Sequence, residues 1–385
     1  MSTLHLKDNK RYITSFIKQD LKDRMVFIGG PRQVGKTTLA QALLKNYHEQ
    51  HPAYFNWDFL EHQKKIKDRA WPSTEKLIIF DEIHKFKGWK NLVKGYFDIL
   101  KNSHQFLITG SARLDHFRKG GDSLLGRYHY YRLHPFTLNE LGLDQKNIQL
   151  LFTNGGFPEP LKKNSPRFLR RWHLERLNRL IRNDLRDLEY VSDIDKIYRL
   201  AELLPTKVGS ILSTKSLSED LLIDFKTCKR WLSILDSLYY SFQISPFGSP
   251  KIKAVKKEQK LYLWDWSQVE DDGARFENMV ASHLLKYCHF LEDTDGHSME
   301  LRYIRDTEKR EVDFVVIKNK IPLFAVECKL NDTKLSDHIK YFSTRTNIPK
   351  FFQIHLGTKH HESFQINDQI SILPFMEFCR ICQLK

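Results

Sequence analysis

Residues 30–38 read Gly-Pro-Arg-Gln-Val-Gly-Lys-Thr-Thr, a complete G-x-x-x-x-G-K-[ST] spacing. This pattern demands a strand, a glycine loop and a helix in that order, and the flanks comply. Met25-Val26-Phe27-Ile28 is a short apolar run, Gly29 and Gly30 break it, and apolar residues recur at helical spacing from Thr37 to Leu44. Such a loop holds a nucleoside triphosphate. Gly30, Pro31, Arg32, Gln33, Val34, Gly35, Lys36, Thr37 and Thr38 form the cradle, and the two glycines let backbone N–H groups converge on the phosphates at the positive end of the helix. Lys36 reaches the β- and γ-phosphates, and the Thr37 hydroxyl takes one position on Mg²⁺, so ATP with Mg²⁺ is the expected cofactor pair.

The second half of the site is expected at Lys76-Leu77-Ile78-Ile79-Phe80-Asp81-Glu82, an apolar strand ending in two carboxylates. Asp81 is assigned to the Mg²⁺ shell and Glu82 to polarising the attacking water. The adjacency of Asp81 and Glu82 argues for hydrolysis, whereas a GTPase switch would position its water with a Gln, and no Asn-Lys-x-Asp guanine-reading pattern occurs in the chain. A third strand, Gln105 to Thr109, ends in small polar residues, and Thr109 or Ser111 can sit between water and γ-phosphate as a sensor. Arg127, after the glycine-containing segment 119–122, is the first candidate for a transition-state arginine, with Arg113 second.

The formal net charge of +15 favours polyanionic partners without identifying them; nucleic acid, DNA before RNA, is the expected partner. The positive charge clusters at Lys162, Lys163, Arg167, Arg170, Arg171, Arg176, Arg179 and Arg182, and again between Lys251 and Lys260. No run approaches the length of a membrane span or a signal peptide. The five scattered cysteines suit a reducing cytoplasm, and Cys379-Arg380-Ile381-Cys382 reads as two residues on the apolar face of a terminal helix.

Strand and helix patterns alternate to about residue 145, as in a parallel sheet covered on both faces. The breaker cluster Asn154 to Pro160 marks a junction, and residues 166–190 return to basic helical periodicity. The expected division is 1–145, 146–192, 193–250 and 251–385. In the third part, Leu217 to Leu221 and Asp224 to Leu235 read as a helix-turn-helix, with Tyr239 to Ile244 as a wing. Lys226, Lys229 and Arg230 would then face phosphate or bases, although such modules also serve as spacers.

The last part carries a constellation of its own. A helix containing Glu277 precedes the strands Glu311–Ile317 and Leu323–Leu330, and a later helix and strand complete an αβββαβ order. Strand alternation puts Glu327 and Lys329 on one face, where Asp313 can meet Glu327 across the hairpin. Two carboxylates can hold Mg²⁺ and a lysine can serve the water. The same residues can equally form a solvent-exposed pair on a strand.

The chain resembles a widespread prokaryotic family of AAA-type ATP-binding proteins whose C-terminal domain is built like PD-(D/E)XK nucleases. The resemblance runs nearly end to end. It rests on the phosphate loop, Ile79-Phe80-Asp81-Glu82-Ile83-His84, Ile108-Thr109-Gly110-Ser111, Gly126-Arg127 and Pro135-Phe136-Thr137-Leu138-Asn139-Glu140-Leu141. It continues through Gly155-Gly156-Phe157-Pro158-Glu159, Lys229-Arg230-Trp231-Leu232, Phe276-Glu277-Asn278, Glu311-Val312-Asp313-Phe314 and Val326-Glu327-Cys328-Lys329. It implies an α/β P-loop NTPase core, then a helical and winged-helix middle, then a restriction-endonuclease-like α/β domain. Three activities remain open on this basis: an ATPase moving nucleic-acid-facing domains, an ATP-gated nuclease using Asp313, Glu327 and Lys329, and a slow nucleotide switch for protein partners. A homo-oligomer is compatible with each.

Overall fold

The computed structural model describes residues 11–47, 50–110, 124–185, 193–248, 258–331, 333–357 and 362–383. The chain forms two compact units, one of residues up to His134 with Ser237–Tyr239, the other of Pro135–Asp236 with Tyr240 onward.

The first unit is built on five parallel strands, β1 Met25–Gly29, β2 Tyr54–Asn56, β3 Leu77–Asp81, β4 Gln105–Thr109 and β5 Tyr128–Arg132, in the spatial order β2-β3-β4-β1-β5. The central strands are continuous apolar runs because both faces are covered: every residue of β1 is buried, as are Ile78 to Asp81 of β3. On one side, the helix Trp89–Leu100 turns Trp89, Val93, Tyr96 and Phe97 into the core. In register, Val26 lies beside Leu107 and His129, and Asp81 lies beside Thr109 and Asn56. The carboxyl ends of β1, β3 and β4 therefore lie together, at the position where open parallel sheets bind ligands.

The second unit contains an eight-stranded mixed sheet and the helices that cover it. Its strands are β6 Ser241–Pro246, β7 Lys260–Leu263, β8 Met299–Arg305, β9 Glu311–Lys318, β10 Ile321–Lys329, β11 Phe351–His355, β12 Phe364–Gln365 and β13 Ile370–Pro374. They are ordered β12-β13-β11-β10-β9-β8-β6-β7. The long helix Asp272–Asp295 packs over this sheet, burying Phe276, Met279, Val280, Leu284 and Cys288. The helices Thr214–Asp220 and Phe225–Ser237 follow each other closely, and Lys226, Lys229 and Arg230 are exposed on the second. Strand β6, expected as part of a wing, does not stand free. It pairs antiparallel with β7 and parallel with β8, and so belongs to the large sheet.

The Asn154–Pro160 cluster is an internal corner of the second unit. Phe136 N donates to Gly156 O at 2.7 Å, and a Cβ on Gly156 would lie 2.6 Å from Phe136 O and from the Trp266 ring. Only glycine allows that approach. Among the described residues, no helix is long and apolar enough to cross a membrane.

Candidate nucleotide site and carboxylate cluster

The phosphate loop leaves β1 through Gly30, whose φ of 142° and crowding against Leu133 O, 2.3 Å from a would-be Cβ, require glycine. Lys36 is buried and curls back over the loop, donating to Gly30 O at 3.0 Å and Pro31 O at 2.9 Å. Its ammonium is thus held at the loop it serves. The loop is braced from behind by Arg11, which donates to Val34 O at 3.1 Å and to His134 O at 2.6 Å. Sequence reasoning missed Arg11, because its partners are backbone carbonyls 23 and 123 residues away.

Asp81 is the centre of the site and is 1% exposed. Thr37 Oγ1 donates to Asp81 Oδ2 at 2.8 Å, the Tyr54 hydroxyl donates to the same oxygen at 2.7 Å, and Thr109 Oγ1 hydrogen-bonds Oδ1. Burial, then the neighbouring Asp81 charge, keep the Tyr54 phenol protonated well beyond its ordinary range. Tyr54 was missed as a site residue, although alternation along β2 places it on the same face as Asn56, directly across from Asp81. A carboxylate beside two threonine hydroxyls is the hard-oxygen donor set that suits Mg²⁺, so Thr37 and Asp81 fit the expected metal ligands.

Glu82 follows Asp81 in the left-handed region, φ 56°, so its side chain leaves the strand direction. Its carboxylate lies 3.6 Å from His84 Nε2 and 3.9 Å from Lys85 Nζ, and Lys85 also pairs with Asp58 at 2.7 Å. Burial raises the Glu82 pKa, and the Asp81 charge adds to it, against the pull of Lys36, Lys85 and Arg32. After burial, the strongest charges acting on Glu82 are thus the phosphate-loop lysine and the Asp81 carboxylate.

Arg127 is not brought to this place. It precedes β5 at the end of the sheet where Met25 begins β1, since Met25 N donates to Arg127 O at 3.0 Å, while the phosphate loop leaves the other end of β1. Its guanidinium is paired with Asp98, at 2.7 and 3.2 Å. The sequence signal, an arginine after a glycine-rich segment, does not tell which end of the sheet the following strand starts from. Ser111 and Arg113 lie outside the described residues.

In the second unit, continuing the β9–β10 register brings Asp313 opposite Glu327, and Cys328 N donates to Asp313 Oδ2 at 2.8 Å. Lys329 pairs with Glu327 Oε1 at 2.8 Å, while Glu327 Oε2 is buried with no hydrogen-bond partner among the described residues. Within the expected trio of Glu277, Asp313 and Glu327, a residue absent from the expectation bridges Glu277 and Asp313. The ammonium of Lys260 lies 3.2 Å from Glu277 Oε1 and 3.5 Å from Asp313 Oδ1, and it also pairs with Glu311 Oε1. Burial alone would lower the Lys260 pKa, but the charges of Glu277, Asp313 and Glu311 outweigh it and raise the net value. Burial, then repulsion from Asp313, push Glu277 up to about 7 and Glu327 up to about 8. No three His, Cys, Asp or Glu gather as a metal-holding group among the described residues. With an ammonium between the carboxylates, the donor set does not fit a divalent ion as it stands.

Residues 22–142 match the family described as an AAA domain. Over that length the segment is similar to AAA-type P-loop domains. The AAA domain is followed by matches to two domains of unknown function, DUF8612 over residues 145–269 and DUF4143 over residues 272–378. An uncharacterized protein of Methanocaldococcus jannaschii, MJ1637, is 25% identical over an alignment covering 83% of this chain and 78% of its own. Uncharacterized proteins of Mycobacterium bovis and Mycobacterium tuberculosis are each 24% identical over 63% of this chain, and this chain spans 54% of their length. The solved structure of RuvB from Thermotoga maritima matches at 16% identity, covering 60% of this chain and 88% of that one, with a TM-score of 0.32. That score is too low to carry an argument.

Proposed function

We propose that the AAA domain binds ATP with Mg²⁺ and hydrolyses it, and that hydrolysis drives conformational change in attached nucleic-acid-facing domains. The observation that carries the reading is the engagement of both Asp81 oxygens by Thr37, Thr109 and Tyr54, beside the loop that holds Lys36. Thr37 and Asp81 would hold Mg²⁺, which would supply charge neutralisation at the phosphates. Lys36 exchanges its loop carbonyls for phosphate oxygens. Glu82, with a raised proton affinity, takes the proton of the attacking water, and Thr109, hydrogen-bonded to Asp81, orients that water. Arg127, tied to Asp98 away from the loop, is not assigned the transition-state role.

Nucleic acid as the partner is supported by exposed Lys226, Lys229 and Arg230 on the Phe225–Ser237 helix, and by exposed Lys162, Lys163, Arg167, Arg170, Arg171 and Arg179. Arg176 is outside this set. It is turned inward over the Phe157 ring at 4.4 Å. The reading leaves out strand cleavage by Asp313, Glu327 and Lys329. The test is incubation of the protein with ATP, Mg²⁺ and several nucleic acids, following phosphate release and strand integrity in one tube. Phosphate release with intact strands is expected. Tight ATP binding without turnover would replace this reading with a nucleotide switch, and metal-dependent nicking would replace it with a nuclease.

A further inference from the structure

The carboxylate cluster of the second unit already contains a cation, and that cation belongs to the chain. Lys260 opens β7 with a side chain 1% exposed. A charged lysine is buried this deeply only when it is paired, and the three donors of an ammonium match the three carboxylates that surround it. Those carboxylates come from separate elements: Glu277 from the long helix, and Glu311 and Asp313 from β9. The ring of Tyr303, on β8, lies 5.7 Å from the same nitrogen and adds an aromatic wall.

The outer oxygens of the two β9 carboxylates are also engaged: Arg305 lies 2.8 Å from Glu311 Oε2, and Cys328 N donates to Asp313 Oδ2 at 2.8 Å, while Tyr262 OH donates at 2.7 Å to Glu277 Oε1, the same oxygen that faces Lys260. The backbone at Gly209 closes another side, where an added Cβ would meet Glu277 Oε2 at 3.0 Å. A carboxylate-bound divalent ion needs oxygen lone pairs open toward one common point. Here the common point is Nζ of Lys260.

We propose that Lys260 is the resident cation of this cluster, standing where a divalent ion would otherwise bridge Glu277 and Asp313, so that the C-terminal sheet is assembled without divalent metal at this place. The inference goes beyond the ATPase reading and does not depend on it. It separates likeness to a nuclease fold from metal-dependent chemistry. A metal ion exchanges with solvent and is removed by chelators, whereas an ammonium on a strand is present whenever the strand is paired. Removing that charge leaves Glu277, Glu311 and Asp313 facing one another, which is the condition under which carboxylates recruit a divalent ion.

The test uses the full chain without nucleotide and Mn²⁺ as the probe, read by electron paramagnetic resonance of free Mn²⁺ and by thermal unfolding with Mn²⁺ or with EDTA. Wild type is expected to unfold at the same temperature in both, and to bind no Mn²⁺ that Asp313→Asn removes. Lys260→Met, which keeps the length and loses the charge, should unfold several degrees lower in EDTA and recover with Mn²⁺, taking up about one equivalent per chain. Lys260→Arg should remain insensitive to Mn²⁺. Wild-type uptake of an Mn²⁺ equivalent that is lost in Asp313→Asn would overturn the proposal, as would a Lys260→Met protein with unchanged stability and no Mn²⁺ response. Should Lys260→Met fail to fold in any ion, the comparison of wild type with Asp313→Asn still decides.

Discussion

Lys36 and Glu82 sit side by side in the electrostatics of one site, yet they should fail differently. Lys36→Ala removes the cation that meets the β- and γ-phosphates, so nucleotide binding should be lost, as read by titration with a fluorescent ATP analogue. Glu82→Gln keeps size and hydrogen bonding but cannot accept a proton. ATP should still bind, and turnover should fall by roughly 10²- to 10⁴-fold. Because burial raises the Glu82 pKa and the base must be ionised to act, the acid limb of the turnover profile should lie above the pH expected of an ordinary glutamate. A limb at ordinary carboxylate pH would move the base elsewhere. Tyr54→Phe tests the residue that alternation places against Asp81. It deletes one hydrogen bond to a carboxylate and should lower unfolding free energy by about 1.5–3 kcal/mol in denaturant titrations.

At the scale of elements, the segment after β5 is anchored on the long helix that carries Glu277. Leu138 N donates to His283 Nε2 at 3.1 Å, and the fully buried Lys286 ammonium bonds Thr137 Oγ1 at 2.8 Å and pairs with Glu140. Lys286→Met leaves the Glu140 carboxylate buried without that cation and should destabilise by about 3–5 kcal/mol, measured by denaturant unfolding. Adding Glu140→Leu should recover a large part of that loss, and failure to recover would mean the pair is not the source. This anchoring was not legible in the sequence, since Glu140 and Lys286 stand 146 residues apart. What was legible is what depends on local order. The P-loop spacing, the apolar strands before it and at Ile78–Asp81, and the alternation putting Asp313 opposite Glu327 all follow from neighbours in the chain. The bridging of Glu277 and Asp313 by Lys260 did not, because Lys260 read only as the last member of a basic loop. Nothing local announces that a lysine opening a strand turns inward toward three acids.

For the molecule as a whole, the excess positive charge should appear as salt dependence. If the exposed basic residues meet phosphates, the logarithm of the association constant for duplex DNA should fall linearly with the logarithm of salt concentration, by about 0.9 per phosphate neutralised. Replacing Lys226, Lys229 or Arg230 singly by alanine should each reduce that slope by about one while leaving ATP turnover without DNA unchanged. Binding that ignores salt would assign the charged faces to protein partners. One dependency also reaches across the recognised domain limits. The match to the AAA domain begins at residue 22, yet the carbonyls of Val34 and His134 are both held by Arg11. A fragment trimmed to begin at residue 22 would carry every phosphate-loop residue and still lack the guanidinium that supports the loop, so weak nucleotide binding by such a fragment would reflect the trimming rather than the site.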